Sequence, residues 1–494
     1  MWLVVGYCLL ASCWLFTVPP FSAPDEADHF QRAISVGAGQ IIGARPEKFS
    51  DPALEPRQEA WVAQTVRRVN LRDGLVPDGY ACNAFKPALS AHCDDLVPPV
   101  SHDPVTRLTM NGTYQPAPFL LPGLFADATR DRLVALRLAR IASAITSLLL
   151  LVTAVLCFVI DDASSLGVLV AVTPMVVFIG SVLNPSGPEV AAGVALIASL
   201  LALGRERNGL SADDIHKRLL ALALVAGVAL ALTRTLGPLW IALEVGLWVF
   251  WIGWRRALEL TRRAPRWSAA TVGAIAVACA VNRLWEGRYG PHLAIARTES
   301  LATAIDQSVR LWPRWILEHI GDFQYLDTPM PRVAVLAWGV VAVGLVALAL
   351  IVGTPRDRRA LLLVGGTVAV VPVMLHAVFL RPIGWAIQGR HVLPLTVALP
   401  LFAGEILSRN RPRFASTASL RLLSAAGTVC ALVQLAGLYA NGRRSAVGVN
   451  GPGWFMMHAE WSPTLGWATW CLVGAAGASA LTLGALTLRG EVRD

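Results

Sequence analysis

Charge is what this sequence has least of. Only 15% of its 494 residues are Asp, Glu, Lys or Arg, against 55% hydrophobic, where a soluble chain carries about a quarter charged. Mean hydropathy is +0.55. A single soluble core is excluded, because long apolar runs recur from end to end; that is the pattern of a polytopic membrane protein. Lysine is nearly missing: Lys48, Lys86 and Lys217 are the only three, so arginine carries the net charge of +9. The arginines cluster in short loops, which argues for membrane topology and no nucleic-acid partner. No Cys-x-x-Cys or Cys/His metal spacing occurs. Cys8, Cys13, Cys157, Cys279, Cys430 and Cys471 lie in apolar runs and read as packing residues. Internal repeats and low-complexity tracts are lacking too. The N-terminal run has no basic leader and meets Pro24 just after Ser22-Ala23, so it reads as a retained helix rather than a signal peptide.

What is present is a series of twelve apolar candidate spans. They cover Trp2–Val18, Val134–Ile160, Leu166–Leu183, Val190–Leu203, Leu219–Leu232, Pro238–Trp254, Ala269–Leu284, Val333–Val352, Leu361–Leu380, Val392–Leu407, Leu420–Tyr439 and Leu465–Leu486. With a cytoplasmic N-terminus, every inner loop is short and basic. They hold Arg205, Arg207, Lys217 and Arg218; Arg255, Arg256, Arg262, Arg263 and Arg266; Arg356, Arg358 and Arg359; Arg409, Arg411, Arg413 and Arg421; and Arg489 and Arg493. This is the positive-inside pattern, with both termini inside. The chain is expected to be one all-α membrane domain over residues 1–494.

Three long polar loops then fall outside: Pro19–Arg132, Trp285–Arg332 and Asn441–Pro463. A loop as long as the first is expected to be ordered and functional, with helices near Ala27–Val36 and Arg57–Val69. Cys82 and Cys93 share it, and outside the cell they would pair as a disulfide. In the second loop, Leu311, Trp312, Trp315 and Ile316 interleave with Arg310 and Arg314. That spacing predicts a short interfacial helix with tryptophan at headgroup level.

The first loop opens on Val18-Pro19-Pro20-Phe21-Ser22-Ala23-Pro24-Asp25-Glu26-Ala27-Asp28-His29-Phe30. The prolines enforce an extended entry, and a helix starts after Pro24 with Asp25 and Glu26 in its favourable first turn. Asp25 and His29 then share a face, as do Asp28 and Arg32. A capped juxtamembrane helix with a salt bridge explains this much. Four arginines also lie at the outer face: Arg234, Arg381, Arg390 and Arg444. Arg390 follows Gly389, and a guanidinium fork matches phosphate oxygens. Each arginine alone is explained by snorkelling to headgroups. Two or more beside glycines, facing an acidic cluster, point to an anionic ligand.

Several of these stretches, with others, resemble a known family. Pro19-Pro20-Phe21, Pro24-Asp25-Glu26, His29-Phe30, Thr173-Pro174-Met175, Asn184-Pro185-Ser186-Gly187 and Glu189 carry the resemblance. So do Leu232-Thr233-Arg234, Leu236-Gly237-Pro238, Asp327-Thr328-Pro329, Gln388-Gly389-Arg390 and Arg443-Arg444 with Ala446-Val447-Gly448. In order along nearly the whole chain, they resemble the bacterial domain of unknown function 2142. That family resembles the GT-C membrane glycosyltransferases, which use polyprenyl-phosphate sugar donors and carry acids in the first outer loop.

The resemblance implies a GT-C-like bundle in the bacterial inner membrane, with an extracytoplasmic active site. It implies an inverting transfer of sugar to an extracytoplasmic glycan or lipid. Such a reaction needs a base for the acceptor hydroxyl and a cationic site for the departing phosphate. Asp25 is the first choice of base and Glu26 the second, with Asp28 and His29 supporting them. Arg234 and Arg390, then Arg381 and Arg444, are the candidate phosphate partners. Asn184, Glu189, Gln388 and His391 are candidate sugar or acceptor contacts. A divalent cation (Mg, Mn or Ca) on Asp25 or Glu26 is compatible with their hard oxygen ligands. Two other readings compete: a transporter or flippase for a lipid-linked saccharide, and a non-catalytic glycolipid-binding envelope protein. A transporter is expected to show repeats and midplane charges. The charged motifs here sit at outer helix ends instead.

Overall fold

The computed structural model describes residues 1–72, 75, 83–92, 104–205, 212–292, 300–414 and 416–487. Cys82 and Cys93 lie outside them. The helices of the first third are α1 (Trp2–Thr17), α2 (Glu26–Gly37), α3 (Pro56–Thr65), α4 (Ala117–Asp127), α5 (Arg132–Phe158), α6 (Asp162–Ala171) and α7 (Pro174–Ser181). Then come α8 (Ser186–Leu203), α9 (Ala212–Thr233), α10 (Gly237–Ile252), α11 (Trp254–Arg263), α12 (Pro265–Tyr289), α13 (Leu301–Arg310) and α14 (Trp312–Gly321). The last are α15 (Arg332–Val352), α16 (Pro355–Leu375), α17 (Leu393–Thr396), α18 (Ala398–Arg409), α19 (Thr417–Val447) and α20 (Gly466–Thr487). Two small antiparallel hairpins join them. β1 (Arg67–Arg72) pairs with β2 (Pro104–Thr109), Arg67 opposite Thr109, and β3 (Asp322–Phe323) pairs with β4 (Thr328–Pro329).

All twelve expected apolar runs are helical. Among the described residues, eight helices are long and apolar enough to cross a membrane, or ten if each of two bent pairs is one span. The first and tenth runs fall short: α1 has 16 residues, and α17 and α18 have 4 and 12. The bends have identifiable causes. Between α6 and α7 the chain turns by 62° at Pro174, and the freed Val172 carbonyl accepts from Gln434 Nε2 at 2.8 Å, as buried backbone requires. Between α10 and α11 it turns by 103° at Gly253, whose φ of +85° suits glycine alone.

The spans alternate in direction, so the bundle has two chemically different ends. At one, Arg205 and Arg409 converge on the buried Glu405 (3.0 and 2.9 Å). Beside them Trp251 Nε1 and Asn410 Nδ2 donate to Asp357 (2.8 and 3.2 Å). α1 runs antiparallel to α20, with Leu3 against Gly484 and Cys13 Sγ donating to the Trp470 carbonyl. The start of α1 and the end of α20 therefore lie at one end, which is also where α19 begins, since Ser424 Oγ donates to Ala485 O. Asp25 lies at the opposite end.

The first loop is ordered around its own apolar core. Phe21, Phe30, Ile34, Val69, Leu71 and Phe119 pack together with Leu136 of α5 and Leu183. The helix expected over Arg57–Val69 stops at Thr65, because the chain turns extended at Val66 and enters β1. Asp28 and Arg32 do not pair along α2. Asp28 accepts from Thr109 Oγ1 and Met110 N (3.1 and 2.9 Å), and Arg32 donates to the Tyr114 carbonyl (2.7 Å). The expected interfacial helix is α14, but Trp315 is fully buried, donating to Ile387 O at 3.0 Å. Its partner is protein, not headgroup. The third loop is also shorter than expected, since α19 continues to Val447.

Candidate active site

The entry is not extended as expected: Ser22 N donates to Pro19 O (3.2 Å) with Phe21 at φ 59°, and Glu26 N donates to Ala23 O (3.2 Å). At the end of these two tight turns Asp25 takes a left-handed conformation (φ 56°) just before α2. A non-glycine residue there is strained by about 1–3 kcal/mol and persists only where neighbours impose it. Three groups do so. Asn184 Nδ2 donates to Pro24 O at 2.8 Å. Tyr325 Oη donates to Phe21 O at 3.0 Å. Arg140 of α5 grips the loop from beneath, donating to Val18 O (2.7 Å) and Pro19 O (2.8 Å) and bidentately to Glu26 (2.8 and 2.6 Å).

Glu26 thus belongs to the scaffold. It is 1% exposed, and Oε1 also accepts from Leu183 N at 3.1 Å. Both of its oxygens are committed, so an Asp25–Glu26 pair does not fit a divalent cation. Among the described residues no cluster of three or more His, Cys, Asp or Glu has metal-binding geometry.

Asp25 points the other way. Its side chain is 55% exposed, while the Arg390 side chain that donates to it at 2.6 Å is only 4% exposed. The carboxylate is therefore accessible while its counter-ion is buried. Arg390 comes from a short turn after an irregular segment, and its Nε donates to Gln388 Oε1 at 2.6 Å. Its Nη1 is buried and has no hydrogen-bond partner among the described residues. A buried guanidinium N–H without an acceptor is costly, and here it lies beside an open carboxylate. Arg234, at the end of α9, donates to Ser186 Oγ (2.6 Å), lies 3.9 Å from Glu189 and stacks over the Tyr114 ring at 5.8 Å.

These groups set the protonation of the site. Loss of solvation by the surrounding protein would raise the Asp25 carboxyl, but the cations Arg390 and Arg234 outweigh it and hold it below its ordinary value. His29 is itself pushed down to about 3, by burial first, so it is neutral at pH 7 and the two guanidiniums carry the effect. Its Nδ1 accepts from Asn111 Nδ2 at 3.2 Å. Asp28 is driven up to about 6 by burial, helped by Asp25 and opposed by Met110 N and Thr109. His391 is held well below its usual value by burial, Arg234 and Arg390.

The candidates therefore divide. Asp25, Arg390, Gln388, Arg234, Glu189 and His391 converge at one place, with Asp28 and His29 behind Asp25. Asn184 is buried and pins the Pro24 turn. Arg444 is fully buried elsewhere, tying α19 to Asp327 of the second loop (3.2 Å) and to the first-loop carbonyls of Asn83 and Leu89. Arg381 occupies a separate short turn, Arg381–Ile383. Sequence reasoning missed Arg140, Ser186 and Tyr114. Arg140 had a signal: it is a charge inside an apolar run, which is costly unless employed.

No curated protein matches this chain in sequence. Two solved structures resemble it, both of ArnT from Cupriavidus metallidurans. The apo structure has 17% identity and a TM-score of 0.39, over 76% of this chain and 66% of that one. The structure bound to undecaprenyl phosphate has 14% identity and a TM-score of 0.46, over 99% and 76%. A family match runs over residues 8–399. It takes in Asp25, Glu189, Arg234 and Arg390 together and stops short of Arg444. The chain therefore belongs to the family described as "Predicted membrane protein (DUF2142)".

Proposed function

We propose that this protein is a GT-C-type glycosyltransferase that moves a sugar from a polyprenyl-phosphate carrier to an extracytoplasmic glycan or lipid, with inversion. The observation that carries the reading is the Arg390–Asp25 pair: a buried guanidinium whose Nη1 group has no partner among the described residues, bonded to an exposed carboxylate. Arg390 Nη1 and the nearby Arg234 are suited to a phosphate, which accepts several charge-assisted bonds at once. Asp25 is suited to the acceptor.

In the transfer, the acceptor oxygen bonds to C1 of the sugar and its proton passes to Asp25. The C1–O bond to phosphate breaks, and the lipid phosphate keeps the electron pair. Arg390 and Arg234 stabilise the charge that develops there. Arg390 is shared between the two jobs. When phosphate engages it, Asp25 loses part of the ion pair that holds its carboxyl low and becomes a better base. Glu26 has no part in the chemistry. The site end then faces the outside and the arginine-rich end the cytoplasm, in a bacterial inner membrane, with both termini inside.

The test is Asp25→Asn in the full-length protein, reconstituted with undecaprenyl-phosphate-linked sugars and envelope lipids or glycans as acceptors. Positioned acid–base groups contribute ~10²- to 10⁴-fold, so transfer should fall at least about a hundredfold while undecaprenyl phosphate still binds. Transfer at the wild-type rate would remove Asp25 from the chemistry.

A further inference from the structure

Arg390 sits in a turn of only three residues, Gly389–His391, with little secondary structure of its own to hold it. Helix α14 grips it from behind. Trp315 Nε1 donates to Ile387 O at 3.0 Å, and Glu318 Oε2 accepts from Gly389 N at 2.5 Å. These two bonds bracket Gln388, whose side chain accepts from Arg390 Nε. Glu318 and Trp315 are both buried. A Cβ on residue 389 would fall 2.6 Å from Glu318 Cβ and 2.9 Å from Trp315 O, so only glycine brings its N–H this close. The helix is itself anchored. Arg314 Nε donates to Glu318 Oε1 at 2.6 Å, and Thr173 Oγ1, at the α6–α7 bend, donates to His319 O at 2.7 Å.

A buried carboxylate spent on a backbone N–H one residue before an active-site arginine has a specific use. We infer that Glu318, with Trp315, is a positioning residue for Arg390, placing its guanidinium for the lipid phosphate without touching the ligand. The inference rests on the phosphate-binding part of the proposed function. Helix α14 leaves Ile316 and Leu317 exposed while Trp315 packs into the main core, so the site's central cation is held from a helix of the second outer loop that is itself seated on the bundle.

The experiment measures undecaprenyl phosphate binding to the full-length protein in lipid nanodiscs. Glu318→Ala removes the acceptor for Gly389 N and should weaken binding about tenfold. Glu318→Gln keeps an acceptor oxygen and should stay within about threefold of wild type. In the Arg390→Ala background, Glu318→Ala should add less than about twofold, because residues acting through one another are not additive. A full additive loss, or no loss from Glu318→Ala alone, would overturn the inference. No loss from Arg390→Ala would instead overturn the phosphate reading beneath it. Trp315→Phe deletes a single N–H and should weaken binding about threefold. It keeps the test decisive if Glu318→Ala does not fold, and unchanged binding would then count against the inference.

Discussion

Glu26→Gln and Asp25→Asn change neighbouring acids by the same chemistry, and the structure assigns them opposite consequences. Glu26 and Arg140 form an ion pair at 2.6 Å whose side chains are 0% and 3% exposed. Breaking one side of such a pair costs about 3–5 kcal/mol. A Gln still offers one oxygen to Arg140 or Leu183 N, which places the loss near the lower end, about 3 kcal/mol. Asp25 is more than half exposed, so its pair with Arg390 is discounted to about 0–1 kcal/mol, and Asn keeps an acceptor for Nη2. Arg140→Leu should be worse than Glu26→Gln, because it also strands the Val18 and Pro19 carbonyls. The assay is thermal unfolding of the purified protein in detergent, followed by tryptophan fluorescence and read as a ranking of midpoints, since unfolding of such a protein is irreversible. Glu26→Gln should melt several degrees below wild type, with Asp25→Asn close to wild type. If Asp25→Asn falls as far as Glu26→Gln, or Glu26→Gln melts with the wild type, the division into scaffold acid and site acid is wrong.

Two further outcomes are expected. His29 has a folded-state pKa of about 3 against an ordinary 6.5, so the stability it contributes is present above pH 6.5 and is lost as pH falls toward 3. By pH 4.5 that loss is about 2–3 kcal/mol. Asp28, raised to about 6, works in the opposite direction between pH 6 and 3.8, so the reading to take is the difference between wild type and His29→Gln. The gap between their melting midpoints should shrink from pH 7 to 4.5; a constant gap would refute it. For topology, a cysteine introduced at Ser50 should react with an impermeant thiol reagent in intact cells and one at Arg358 should not. The reverse pattern would turn the site toward the cytoplasm.

The helical bundle was legible because apolar runs of this length leave the backbone few alternatives. The start of α2 just after Pro24 was legible too, but the two tight turns before it were not, since the prolines by themselves favour an extended chain. The β1–β2 hairpin was not. Arg67–Arg72 has no strong strand pattern, and its partner begins at Pro104, more than thirty residues away. Trp315 read as an interfacial tryptophan because local sequence cannot reveal that Ile387 O waits for its N–H. The same limit hid the pairing at the centre of the site. Asp25 and Arg390 were each picked out by local chemistry, but the contact between them spans 365 positions.

That separation also sets a clock on the ribosome. At about 5–20 residues per second, Arg390 is made on the order of 20–70 s after Asp25, and Asn184, which pins the turn, arrives in between. During that interval the first loop has already been made, and its strained turn is pinned in steps, by Arg140, then Asn184, then Tyr325, while its carboxylate still lacks Arg390. The end of this protein that carries the candidate site is therefore completed late in synthesis, by the arrival of a single short turn.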